Sequence, residues 1–389
     1  MLRNTPKEKK ELLQTLSYLE PKQKQKRQLL VDISGIKRYN SRTGIPRVVL
    51  NQLDALQNLD QDLFEVRAIY LSQHPSTLPL HFYDDTNKPI SLQNTDIIYN
   101  PDLDPQSVKE ANIYKLYKCY KNVGIFIVTL VHDILPITHP QFFVKGQDQI
   151  HKEWFFHVLH ISDLLITTSK ATKDAIDMYT KKHPKIVSIP LGTTKLAYTQ
   201  KNISTKKCIN FLVVSTIEPR KGHKQLLDAF EILWSEGLDF HLTIVGKQGW
   251  NIEELIKRFN MHPQKGKYFH YKDFLEDNEL EELYKSSSAL IAPSYAEGFG
   301  LPLIEAAQYK LPIIARNITV FNDIAKKNAF YFEDKDDGVS LANTIKEWVK
   351  LYRENSHPKS DSIVFYSWEQ NAKKTLNILC EAFETTITK

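Results

Sequence analysis

The stretch ALIAPSYAEGFGLPLIEAA, residues 289–307, runs from an apolar strand pattern through two glycines into a helical pattern. Residues 289–293 are apolar without alternation, as expected of a strand buried on both faces of a parallel sheet. Gly298 and Gly300 let the backbone turn sharply and approach a ligand closely. Pro302 suits a helix's first turn, where no N–H is needed, and a helix N-terminus favours an anion. Glu297 stands before this helix and Glu305 about a turn inside it, where carboxylates accept hydrogen bonds from hydroxyls. An anion site flanked by two such carboxylates describes a sugar nucleotide; on spacing alone the same residues also read as a glycine turn with a pair of surface glutamates.

The same strand–helix alternation extends outward in both directions. Strand patterns occupy 28–34, 64–71, 96–100, 124–132, 163–168 and 185–190, with helical periodicity at 44–57, 105–121, 147–161 and 170–183. A polar stretch at 193–207 interrupts the rhythm. Strands then return at 208–215, 240–246, 268–272, 289–293, 311–315 and 329–332, and helices at 221–236, 251–260, 276–286, 300–310 and 338–355. Such alternation means βαβ units and parallel sheets. Six strands, a linker and six more predict an α/β chain of two Rossmann-like domains facing a cleft, with ligands at the carboxyl ends of the strands. The boundaries read as a basic extension at 1–27, a first domain at 28–195, a second at 205–365, and a helix at 366–389 returning to the first.

Bulk composition narrows the class. The chain has 389 residues, of which 42% are hydrophobic and 25% charged, as in an ordinary soluble protein. Its net charge of +5 is local: residues 1–27 hold eight Lys/Arg against three Glu, and the remainder balances. A global nucleic-acid surface is therefore not implied. The longest near-apolar run, 123–131, is far short of the roughly 20 residues that span a membrane, and the N-terminal stretch lacks a signal-type apolar core. Cys119, Cys208 and Cys380 stand far apart, without metal-ligand spacing, which suits a reducing cytosol. Leu12, Leu13, Leu16 and Leu19 form one stripe of an N-terminal helix, which could pack on its own domain or meet a membrane surface or a second copy.

Several further segments resemble a known family. Glu297 and Glu305 within EGFGLPLIEA look like the paired-glutamate motif of retaining glycosyltransferases of family 4, which have the GT-B fold. IEPRKGH at 217–223 is similar to that family's EPRK segment, and VGKQGW at 245–250 to its next strand-end loop. VHDILP at 131–136 resembles its first-domain histidine motif, TGIPR at 43–47 its first loop, and YSWE at 366–369 the start of its returning helix. Ser215-Thr216 stands where many relatives carry Gly-Arg, and Gly44 where many carry two glycines.

The resemblance implies a metal-independent hexosyltransferase with no cofactor beyond its nucleotide-sugar donor. It places Arg220 and Lys221 on the donor diphosphate, Glu305 on ribose and Glu297 on the sugar. Gly44, Gly246, Lys247, Gly298, Phe299, Gly300 and Leu301 complete the donor set. His132, with Asp133 beside it, would contact the sugar or the transferring centre through its ring or its backbone carbonyl; it is not assigned as a general base. Thr43, Arg47 and Asp133 would face the acceptor. The segment 217–237 with GKQGW looks most like bacterial mannosyltransferases of surface-polysaccharide assembly (lipopolysaccharide, capsule or exopolysaccharide). GDP-mannose is therefore the preferred donor and a saccharide or lipid-linked sugar the acceptor. The expected location is cytoplasmic, with peripheral membrane contact through the N-terminal helix. An epimerase or phosphorylase of the same fold, or a non-catalytic donor-binding subunit, are the alternative readings.

Other patterns carry less. Asp102-Leu-Asp104 has the form of a metal-binding Asp-x-Asp but lies apart from the other motifs. His151, His157 and His160 share a helix without a partner at ligand spacing. Tyr114, Tyr117 and Tyr120 alternate with lysines and read as rings packed inward beneath a solvated face, or as a membrane-facing strip.

Overall fold

The computed structural model describes residues 26–39, 44–59, 62–71, 82–84, 86–88, 90–102, 105, 111–194, 208–333, 335 and 337–387. The N-terminal leucine stripe, Thr43, Asp104 and most of the 193–207 linker lie outside them. The described residues fall into two compact units. One comprises the chain up to Ile137, Asp148–Gly192 and the chain from Tyr366; the other comprises Thr138–Gln147 and Thr193–Phe365.

The first unit is built on a seven-stranded sheet. Its order across the sheet is Phe82–Asp84, Phe64–Leu71, Arg27–Asp32, Ile97–Asn100, Phe126–Val131, Leu164–Thr167 and Lys185–Ser188. Every pairing is parallel except that of Phe82–Asp84 with Phe64–Leu71. That antiparallel edge strand escapes the six-strand expectation because three residues cannot display a period. The strands Phe126–Val131 and Leu164–Thr167 are buried throughout, which explains their apolar runs. The returning helix, Trp368–Ile387, lays Ala372, Leu376, Leu379 and Phe383 into the same apolar cluster as Val49, Leu53 and Leu56. Gly192 is required there, since a Cβ would stand 2.6 Å from the Trp368 ring. Tyr117 and Tyr120 are buried, which settles the tyrosine strip in favour of inward packing at those two positions.

The second unit has six parallel strands in the order Phe269–Lys272, Phe240–Val245, Ile209–Val214, Ala289–Ala292, Ile313–Arg316 and Phe330–Phe332. In chain order this is 3-2-1-4-5-6, the doubly wound arrangement. The helices His223–Ser235 and Gly338–Arg353 pack their apolar faces (Leu226, Phe230, Leu341, Trp348) with Phe211, Leu242 and Ile244 from the sheet. Thr138–Gln147, which chain position assigns to the first domain, clusters with this unit through aromatic contacts. Phe142 stacks on Tyr295, Phe143 stacks on Trp250, and the Trp250 Nε1–H donates to the Phe142 carbonyl at 2.9 Å.

Candidate active site

Strand order decides which loops meet. In the second sheet the strand order reverses between the parallel neighbours Ile209–Val214 and Ala289–Ala292, so the segments leaving those strands lie side by side at a topological switch point. The first segment closes into a tight turn, Pro219–Lys221, followed by Gly222 at φ 70° and the helix His223–Ser235. A Cβ at Gly222 would sit 2.2 Å from the Pro293 carbonyl oxygen, so two backbones touch there and only glycine fits. The second segment ends at Gly300, φ 109°, which opens the helix Leu301–Gln308 with proline in its first turn.

Four side chains converge where these turns meet. Lys221 Nζ lies 2.5 Å from Glu297 Oε1, and Arg220 Nη1 lies 2.9 Å from Glu297 Oε2. The Ser294 hydroxyl donates to Oε1 at 2.7 Å. Arg220 also pairs through Nε with Glu218 at 2.5 Å and donates to the Ala296 carbonyl at 2.9 Å. The Tyr295 N–H donates to the Arg220 carbonyl at 2.8 Å, tying the two turns together by backbone. Charges this buried persist only when paired and hydrogen-bonded. Burial pushes the Glu297 carboxyl up, but Lys221 and Arg220 more than offset it and hold it at about 2. Burial, and then Arg220, push the Lys221 ammonium down, with Glu297 opposing both. The cluster presents two cations and a carboxylate at the carboxyl edge of the sheet, beside a helix N-terminus. Chemically it can grip an anionic group and offer a carboxylate to hydroxyls.

Glu305 lies inside the helix Leu301–Gln308, where its Oε2 accepts from the Tyr284 hydroxyl at 2.8 Å. Tyr284 is buried and stacks on Tyr309 with ring centroids 5.3 Å apart. Gly246 follows the neighbouring strand Phe240–Val245, and a Cβ there would fall 1.8 Å from the Ser215 carbonyl oxygen. Lys247 does not join the cation pair; its Nζ lies over the Phe274 ring, 5.5 Å from the centroid. Phe299 is buried, and Leu301 begins the helix. Thr319 is the first residue of the helix Thr319–Ala325, with Ile318 as its cap.

The remaining expected residues belong to the first unit. His132 follows the strand Phe126–Val131 and is buried, its Nε2–H pointing at the Pro101 carbonyl at 2.8 Å. Its own carbonyl accepts from the Thr168 and Thr172 hydroxyls at 2.9 and 3.3 Å. Burial pushes the imidazole down, so the neutral ring is favoured. Asp133 accepts from the Leu135 N–H at 2.9 Å and so braces the helix Leu135–Thr138. Gly44, φ 65°, caps the helix Ile45–Gln57, with Arg47 exposed in its first turn. The first sheet has its own switch point between Arg27–Asp32 and Ile97–Asn100. A cavity there is lined by Asp32, Asn100, Asp102, Tyr117 and His157, with the Tyr117 hydroxyl donating to Asp32. No group of three or more His, Cys, Asp or Glu side chains among the described residues could hold a metal ion.

Sequence reasoning missed three members of the second-unit site. Ser294 is signalled by its position three residues before Glu297. Tyr284 lies on the helix Asp277–Ser286 and gives no local sign of its partner. The third, Arg316, ends an apolar strand as a charge with no exposed surface.

This two-sheet architecture is that of GT-B glycosyltransferases. Residues 195–363 match the family model described as "Glycosyl transferases group 1", so the chain carries a domain of that family in its second unit. Along 381 residues it is 34% identical to the serotype-specific mannosyltransferase WbdA of Escherichia coli, covering 91% of this chain and 46% of that protein. The chain thus spans about half the length of that curated relative. The O-antigen chain mannosyltransferase B of Escherichia coli is 24% identical over 271 residues, 64% of this chain and 69% of its own. Among solved structures, Anabaena HepE in complex with UDP and glucose aligns at a TM-score of 0.64 and 14% identity, covering 91% of this chain and 99% of that one.

Proposed function

We propose that this chain is a retaining hexosyltransferase of bacterial surface-polysaccharide synthesis, moving mannose from GDP-mannose to a saccharide or lipid-linked acceptor. The observation that carries the reading is the Arg220–Lys221–Glu297 cluster at the switch point of the second sheet. The donor diphosphate takes the place of the Glu297 carboxylate on the two cations, and amides of residues 298–301 add to its grip. Charge developing on the leaving diphosphate is then met by fixed positive groups already desolvated, which supports transfer without a metal ion. Glu297, displaced from its cations, accepts from hydroxyls of the sugar, and Glu305, held by Tyr284, accepts from the ribose. The leaving phosphate helps take the acceptor proton on the front face. The relatives named as mannosyltransferases support mannose, and the glycosyltransferase domain supports the reaction class.

No helix among the described residues is long and apolar enough to cross a membrane. Contact with a membrane surface belongs to this proposal through the basic segment at 1–27, where about 1 kcal/mol of attraction per Lys or Arg to anionic lipid is available.

The test supplies GDP-mannose, and in parallel UDP-, ADP- and CMP-sugars, with EDTA present, and follows nucleotide release with and without lipid-linked acceptor. Turnover of GDP-mannose in EDTA with an α-configured product is expected. Loss of turnover on metal removal refutes the metal-free route. Sugar conversion without acceptor indicates an epimerase, phosphate consumption a phosphorylase, and binding without turnover a donor-binding subunit. Full activity in both Glu297→Gln and Arg220→Ala refutes the site.

A further inference from the structure

The turn that carries Glu297 leaves its strand at Pro293, and the Pro293 carbonyl is gripped from outside the cation cluster. Arg316 ends the strand Ile313–Arg316 with no exposed surface. Its Nε–H and Nη2–H both donate to the Pro293 carbonyl, at 3.0 and 2.9 Å. Nη2 also reaches Gln225 Oε1, and Nη1 donates to the Lys335 carbonyl at 3.3 Å. Gln225 in turn donates to the carbonyls of Lys335 and Asp337. The guanidinium lies over the Tyr295 ring, 3.9 Å from its centroid, and Phe142 stacks on that same ring with centroids 5.4 Å apart. Gly222 presses on the same Pro293 carbonyl.

Taking a guanidinium out of water is costly, whereas any buried N–H can satisfy a strand-end carbonyl. What the arginine adds is direction. A planar fork with two bonds to one oxygen, its face on the next ring and its tip on Gln225, fixes the carbonyl's position and orientation. Four residues further on stands Glu297, so a tilt at Pro293 is amplified at that carboxylate and at the amides that follow.

We propose that Arg316 is a positioning residue for the transfer reaction. It sets where the turn from Ser294 to Gly300 stands, and thereby the reach of Glu297, without touching the donor. The proposal rests on the donor-site reading of Glu297. A lysine at 316 keeps the charge but cannot form the fork, which makes Arg316→Lys the informative change. Gln225→Ala, which removes the fork's outer support, is the second variant should the first fail to fold.

The experiment measures three quantities on the full chain: hydrogen exchange across residues 293–300, affinity for GDP and UDP by calorimetry, and kcat and KM with the sugar nucleotide that the wild type turns over. Arg316→Lys is expected to exchange the Tyr295 amide faster while the strand Phe240–Val245 stays protected, as a local opening does. It is expected to bind nucleoside diphosphate as the wild type does, and to lose about 10²-fold in kcat, the scale of an ångström's misplacement of a reacting group. A folded variant with wild-type kcat overturns the proposal, whatever its exchange. Equal losses in kcat, nucleotide affinity and protection across the whole sheet also overturn it, because they describe general destabilisation. A wild type that neither binds nor turns over any of these nucleotides removes the donor-site reading and this role with it, whereas a wild type that turns over while Arg316→Lys matches it removes this role alone.

Discussion

Lys221 and Glu297 stand 76 positions apart in the chain, yet the Lys221 ammonium donates to Glu297 Oε1 at 2.5 Å, with each side chain only 10% exposed. Neither charge would persist at that depth alone, and with Arg220 they form one electrostatic unit. The same two groups that the donor-site reading gives to diphosphate and sugar are thus each other's partners.

That pairing has a measurable cost when half of it is removed. Glu297→Gln leaves two buried cations facing a neutral amide, and losing one partner of such a pair costs about 3–5 kcal/mol. Urea unfolding is expected to show a loss of this order, and Glu297→Gln combined with Lys221→Met is expected to recover part of it. Losses that simply add would mean that the two groups do not stabilise one another.

A pH signature comes from His223, the first residue of the helix that follows Gly222. Burial, with Lys221 second, pushes its imidazole from 6.5 down to about 3. The unfolded chain therefore takes this proton near pH 6.5, while the folded chain takes it only near pH 3. Its contribution to stability is complete above pH 6.5 and falls as pH drops toward 3, by up to about 1.4 kcal/mol per pH unit. Between pH 6.5 and 5 the stability of His223→Gln is expected to fall less steeply than that of the wild type. Parallel slopes would show that His223 does not titrate as its burial requires.

Two glycines separate steric from conformational demand. Alanine at Gly246 would place a Cβ 1.8 Å from the Ser215 carbonyl oxygen, backbone against backbone at the mouth of the sheet. Alanine at Gly44 meets nothing within 4 Å among the described residues and pays only for its backbone, φ 65° and ψ −129°, about 1–3 kcal/mol. Thermal melting is expected to fall much further for Gly246→Ala than for Gly44→Ala. Equal falls would mean that the loop at 245–250 is free to move away from residue 215.

Tyr284 tests the nucleoside end of the site. Tyr284→Phe keeps the stack on Tyr309 and removes only the hydroxyl that Glu305 accepts. One net hydrogen bond contributes about 0.5–1.5 kcal/mol, or roughly a 2- to 12-fold change in binding. Calorimetry is expected to show nucleotide affinity weakened within that range, with the melting temperature nearly unchanged. Unchanged affinity would detach Glu305 from the ribose.

Much of this architecture is legible in the linear pattern. The run 289–307 reads directly as strand, glycine turn and proline-started helix, and the structure has Ala289–Ala292, the turn and Leu301–Gln308 in those places. Glu297 stands out as a carboxylate before a glycine turn, whereas Arg220 and Lys221 stand out only through the resemblance of 217–223 to the family's EPRK segment. Lys247 looks equivalent in sequence, but its side chain leaves the turn for Phe274. Arg316 reads as an ordinary charge at the end of a short strand, and nothing nearby signals that it is buried against Pro293. The edge strand Phe82–Asp84 and the short helices Ser34–Tyr39 and Leu135–Thr138 are too brief to establish a period.

Residue pattern alone therefore determined the alternation of strands and helices, the two sheets, and the tight turns that only glycine permits. These are local properties, set by φ/ψ sterics and by the spacing of apolar side chains. What tertiary structure alone decided is which turns face one another. The order 3-2-1-4-5-6 lays the fourth strand beside the first, and so brings Glu297 to Lys221, Arg316 to Pro293, and the backbone of Gly222 against that same carbonyl. No local pattern encodes those meetings, because each depends on strand pairing across a long loop, whose closure the whole sheet must stabilise.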